Sequence, residues 1–207
     1  RNGMRRRMGL YDDTIKRKDK ATKAQSNPAL LELEFGLELE EGVVYILDEI
    51  EIDTLYRVVR YSRAIMKHRG GPTTDPLTYF IASYGGDLYA TFGIIDFMKS
   101  FQTPVNTLVR GTAMSAAALL SAAGTGVRHI STNSVMMFHE FTTEMFGKSG
   151  DIVATSDHIK DLQKQSNKWL ASVTNKSEKW WASSTVKDLY LSPNECLKMG
   201  IVDKIVD

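Results

Sequence analysis

Short apolar runs alternate with stretches of helical spacing from about residue 42 to the end of the chain. Gly42-Val-Val-Tyr-Ile-Leu47 is almost continuously apolar, as expected of a strand buried on both faces. Asp53 is suited to cap a helix whose apolar positions Leu55, Val58, Val59, Ile65 and Met66 fall on one side. Gly70-Gly-Pro72 stops that helix, and Leu77-Thr-Tyr-Phe-Ile-Ala82 reads as a second strand. Ser83-Tyr-Gly85-Gly86-Asp87 then turns into a helix running through Met98. Thr103-Pro-Val-Asn-Thr-Leu-Val-Arg110 is a third strand, feeding a small-residue helix at Ser115. Val127-Arg-His-Ile130 and Ser134-Val-Met-Met-Phe138 are two further short strands.

A long, mostly polar helix is expected over about Ile152 to Ala171, with Ile152, Ile159, Leu162, Trp169 and Leu170 as its sparse apolar set. Ser192-Pro193-Asn-Glu195 is a strong helix start: serine caps, proline fits the first position and glutamate completes a capping box. That helix ends at Gly200, and Ile201 to Val206 forms a closing strand. Strand and helix in this rhythm predict an α/β protein with a mostly parallel sheet between helical layers.

Composition narrows the class. The 207 residues are 43% hydrophobic and 25% charged, which suits one globular core. Residues 1–27 hold nine Lys or Arg against three Asp and few large apolar side chains, so this segment is expected to be flexible, with the folded domain spanning 28–207. A net charge of +1 argues against nucleic acid as a partner of the whole chain. No apolar run reaches the roughly 18 residues of a membrane span. The single cysteine, Cys196, suits a reducing cytoplasm and reads as a buried side chain.

Three residues could carry chemistry. Gly111-Thr-Ala-Met-Ser115 puts a serine at the head of a helix. His139 follows in Asn133-Ser-Val-Met-Met-Phe-His139, and Asp188 in Thr185-Val-Lys-Asp188. In that order they can make a nucleophile, its general base and the group that orients the base. Spacing alone equally admits a capping serine, an edge histidine and a turn-forming aspartate. His68 and His158 lie on polar helix faces and are expected to be solvated. Gly85-Gly86 offers backbone N–H groups free of side chains. Gly147-Lys-Ser149 is not a phosphate loop, because the glycine that motif needs at position 142 is Thr142. No paired-ligand spacing for a metal is present, and no cofactor is expected.

Together these segments resemble the ClpP family, the proteolytic subunits of Clp proteases. The family's Ser-Pro-Gly-Gly-Ser turn is similar to Ser83-Tyr-Gly85-Gly86-Asp87, and its Gly-Met-Ala-Ala-Ser motif to Gly111-Thr-Ala-Met-Ser115. Its histidine motif resembles Asn133 to Glu140, and its C-terminal pattern resembles Asp188 to Asp203. The resemblance implies a crotonase-like αβ spiral with a protruding handle helix. It also implies Ser115, His139 and Asp188 as a catalytic triad, with the N–H groups of Gly86 and Ala116 forming the oxyanion hole. Residues 140–150 would form the strand beside the substrate. Heptameric rings stacked as a tetradecamer, polypeptide substrates and an ATP-using AAA+ unfoldase are implied as well. A catalytically silent ring subunit, or a crotonase-fold acyl-CoA enzyme, is the alternative. Asp87 and Tyr84 depart from the family's turn.

Overall fold

The computed structural model describes residues 38–143 and 145–207. The basic segment 1–27 lies outside the described residues. Among the described residues, six helices and seven strands follow in chain order. They are β1 (Val43–Ile46), α1 (Ile52–His68), β2 (Leu77–Ser83), α2 (Leu88–Lys99), β3 (Val105–Met114), α3 (Ala116–Ala122) and β4 (Arg128–Ser131). Then come β5 (Val135–Phe138), α4 (Ser149–Val173), α5 (Glu178–Ser184), β6 (Leu189–Leu191), α6 (Pro193–Lys198) and β7 (Lys204–Val206). No helix among the described residues is long and apolar enough to cross a membrane.

The sheet runs β1-β2-β3-β4-β7, and every neighbouring pair on that path is parallel. Parallel strands need crossover connections, and α1, α2 and α3 supply three of them. One face of each strand is fully buried, at Val44, Ile46, Leu77, Ile81, Val105 and Val109, while the alternate positions are half-buried, so the burial on both faces expected of the apolar runs is only partial.

β3 is the pivot. Its first half pairs with β4 through Thr107–Val109, and its last residues pair with β5 through Thr112–Met114. Where it changes partner, the Ser134 hydroxyl fills the gap, accepting from the Gly111 N–H at 2.9 Å and donating to the Val109 carbonyl at 3.2 Å. β5 then pairs antiparallel with β6, matching Phe138 with Leu189.

Helix starts follow capping chemistry, with one correction. α1 begins before the expected cap Asp53, because the Glu51 N–H donates to the Thr54 hydroxyl at 3.2 Å and fixes the turn there. Asp53 sits in the first turn, where a carboxylate faces the positive end of the helix dipole. α6 has the expected Ser192–Glu195 capping box. Cys196 is fully buried, and burial pushes its thiol up to about 12, so it stays protonated at neutral pH.

Arg128 ties three elements together. It donates to both carboxylate oxygens of Asp203, at 2.6 and 3.0 Å, and to the Val173 carbonyl at 3.0 Å at the end of α4. The Arg128 side chain holds the Asp203 carboxyl below the usual carboxylate range. A depressed folded-state pKa contributes stability above the unfolded value, about 3.9, and loses it as pH falls through the folded value. Asp203→Asn is therefore expected to lower unfolding stability at pH 7 by about 1 kcal/mol, after allowing for solvent screening of a partly exposed pair. The gap between the wild type and this variant should close below about pH 4; denaturant melts at pH 7 and pH 3 that differ equally would contradict this.

Candidate active site

Two strand ends and one turn build the site. β3 delivers Ser115 immediately beyond Met114, and β5 delivers His139 immediately beyond Phe138. Met114 and Met137 are partners in the parallel ladder, so the two residues end side by side. The Ser115 N–H donates to the Met137 carbonyl at 2.8 Å, and the Ser115 hydroxyl lies 2.8 Å from His139 Nε2. That is hydrogen-bond geometry for an activated hydroxyl.

Ser115 is the one non-glycine residue with positive φ among those described, at φ 53° and ψ −124°. Such backbone costs on the order of 1–3 kcal/mol and persists only where its surroundings enforce it. Here it turns the chain sharply from β3 into α3 and lifts the side chain out of the sheet. The seven residues of α3 are all buried, which accounts for its alanines.

The Gly85-Gly86 turn lies against this elbow. Gly85 has φ +106°, and a Cβ there would sit 2.7 Å from the Met114 carbonyl oxygen and 3.0 Å from the Ala116 nitrogen. Gly86 has φ +143°, and a Cβ there would strike the backbone of Ile50. Ile50 and Gly86 form a parallel bridge in which the Ile50 N–H meets the Gly85 carbonyl at 2.7 Å and the Asp87 N–H meets the Ile50 carbonyl at 2.6 Å. That pattern leaves the Gly86 N–H outside the bridge. Ala116 is the first residue of α3, where an N–H has no partner within its helix. Both residues line one cleft of about 220 Å³ together with Ser115 and His139.

Behind His139, α4 braces the chain. Gln163 accepts from the Phe141 N–H at 2.8 Å and donates to buried Asn167 at 3.0 Å, while the Glu140 N–H donates to the Thr185 carbonyl at 2.9 Å. These bonds draw the backbone after β5 onto side-chain and loop partners. The strand expected over 140–150 is therefore absent among its described residues, and α4 begins already at Ser149. Gln163 and Asn167 carry no motif and show in the sequence only as polar positions flanking an apolar stripe. Trp181 on α5 is fully buried and packs against Phe138 with ring centroids 5.0 Å apart, fixing the strand end that carries His139.

Asp188 stands apart. It is exposed, and no hydrogen bond joins it to His139 among the described residues. It lies just before β6, one step beyond the Phe138–Leu189 pair, rather than in a simple loop before the last helix. His158 is not merely solvated: its Nε2 lies 2.8 Å from the Tyr89 hydroxyl, linking α4 to α2 at the edge of the cleft. His68 is exposed, as expected, with its Nε2 3.1 Å from a Glu40 carboxylate oxygen.

The Clp protease family profile matches residues 39–207. ATP-dependent Clp protease proteolytic subunit 1 of Prochlorococcus marinus subsp. pastoris is 31% identical over 170 residues, covering 82% of this chain and 85% of that protein. ATP-dependent Clp protease proteolytic subunit 2 of a Synechococcus species is 29% identical over 170 residues, covering 82% and 85%. The mixed α/β architecture is the crotonase-like fold of that family. From residue 39 to its end, this chain belongs to the Clp protease family.

Proposed function

We propose that this chain is a serine endopeptidase, the proteolytic subunit of a chambered Clp-type protease. One observation carries the reading: the Ser115 hydroxyl lies 2.8 Å from His139 Nε2 on a strained elbow at the head of a helix. In the proposed reaction His139 takes the Ser115 proton as the oxygen attacks a peptide carbonyl. The N–H groups of Gly86 and Ala116 receive the resulting oxyanion, each such donor being worth about 3–4 kcal/mol in the transition state. His139 then gives the proton to the leaving amine, and water releases the acyl group by the same steps in reverse.

Asp188 takes the third role in this scheme. Continuing the β5–β6 register one step past Phe138–Leu189 brings Asp188 opposite His139, which supports a role in which its carboxylate, once turned inward, accepts from Nδ1 and holds the productive tautomer. The silent-subunit alternative predicts an inert Ser115, and the acyl-CoA alternative has no use for the serine–histidine bond.

Assembly is part of the proposal. Phe146 is 91% exposed and Val153 60% exposed, at and near the start of the projecting α4. Apolar groups placed so are suited to meeting further copies of the chain in stacked heptameric rings. Unfolded polypeptide would be fed to the chamber by a separate AAA+ ATPase.

A fluorophosphonate probe is expected to label the assembled protein at Ser115 alone, as located by mass spectrometry of its peptides. An assembled but unlabelled protein would favour the silent subunit, and a monomer at micromolar concentration would remove the chamber.

A further inference from the structure

We propose that Asp87 makes this site select a basic side chain on the residue that donates the scissile carbonyl, a specificity that rests on Ser115 being the nucleophile. The cleft beside Ser115 measures about 220 Å³. That is below the roughly 300 Å³ at which pockets for drug-sized ligands begin, so it receives one side chain. Its walls are mixed: Leu88, Phe141 and Ile159 are apolar, and Asp87 carries a negative charge. No lysine or arginine lines it.

Asp87 directly follows Gly86, the proposed oxyanion donor, and lines the same cleft as Ser115 and His139. One carboxylate oxygen caps α2, accepting from the Ala90 N–H at 2.6 Å. The other takes part in no hydrogen bond or ion pair among the described residues. Tyr89, the next polar group along this wall, has its hydroxyl engaged by His158. The cleft therefore offers apolar contact along its walls and one free anionic acceptor among the residues that line it with the proposed nucleophile. Lysine and arginine match that pattern, because their methylene stems lie on apolar surface while the charged head keeps a polar partner. Glutamate meets the same carboxylate with repulsion.

The cap itself needs only a side-chain acceptor, since asparagine and serine cap a helix about as well as aspartate does, while the charge adds a modest interaction with the helix dipole. This separates the two functions experimentally.

Three peptides differing only at the residue before the scissile bond, as Lys, norleucine or Glu, would be compared by kcat/KM. In the wild type the Lys-to-Glu ratio is expected to be about tenfold at low ionic strength and to shrink in 0.5 M salt, since an exposed carboxylate is screened. Asp87→Asn and Asp87→Ser both retain a side-chain acceptor for the Ala90 N–H, and each should lower that ratio about five- to tenfold. A ratio within one variant cancels any change in overall rate, and the second variant covers a folding failure of the first. Equal ratios in wild type and variants, with all three peptides cleaved, overturn the role of Asp87 and leave the peptidase reading intact. A wild type that cleaves none of the three and is not labelled at Ser115 overturns both.

Discussion

Replacing Ser115 with alanine is expected to lower kcat/KM for a short peptide by about 10⁴-fold or more, with the fold retained. Alanine removes the oxygen that His139 contacts at 2.8 Å while keeping the Cβ, so nothing else in the elbow changes. Residual turnover near wild type would sink the nucleophile assignment. A companion variant reads the backbone independently of the chemistry. Ser115→Gly also lacks the oxygen, but glycine adopts φ 53° without steric cost. It should therefore be equally inactive and more stable than the alanine variant by about 1–2 kcal/mol in denaturant unfolding. A protein more stable with glycine than with alanine at residue 115 maintains backbone strain at that position.

Gly85→Ala should abolish activity almost as fully, through backbone geometry. The new Cβ would lie 2.7 Å from the Met114 carbonyl oxygen and 3.0 Å from the Ala116 nitrogen, and neither atom belongs to a side chain that can swing away. Either the Gly85-Gly86 turn or the Ser115 elbow must move, and each carries one proposed oxyanion donor. A loss of about 10²–10³-fold in kcat/KM and about 2–4 kcal/mol in stability is expected. Gly150→Ala is the matched control, since a Cβ there meets nothing within 4 Å and the site lies in the first turn of α4. Normal activity and stability in Gly85→Ala would show that the turn does not set the site.

The features legible in the sequence were those written in local chemistry. The apolar runs at Gly42–Leu47 and Leu77–Ala82 became β1 and β2, and Ser192-Pro193-Asn-Glu195 became the capped start of α6. The serine and histidine were found by type and order, and their contact follows from the Met114–Met137 pairing. What could not be read is non-local. β3 changes neighbours halfway along, and no periodicity encodes a partner. β6 has only three residues and α5 seven, too short for a repeating pattern to rise above its surroundings. The extra first turn of α1 depends on a threonine hydroxyl reaching back to residue 51, a contact visible only once the turn exists. Asp188 is legible by type and order, but its distance from His139 depends on how the chain enters β6.

The parallel pairing of β3 with β5 also sets an order of events in time. Serine and histidine each end a strand, and parallel strands cannot be joined by a hairpin. α3 and β4 must be laid down before β5 can dock, and such non-local pairings are the slow part of folding. A chain still emerging from synthesis, or one whose β5 has come loose, carries both residues without their contact. On the proposed mechanism, hydrolytic competence arrives only once β5 has docked on β3, which protects a half-made subunit, and its neighbours, from that chemistry.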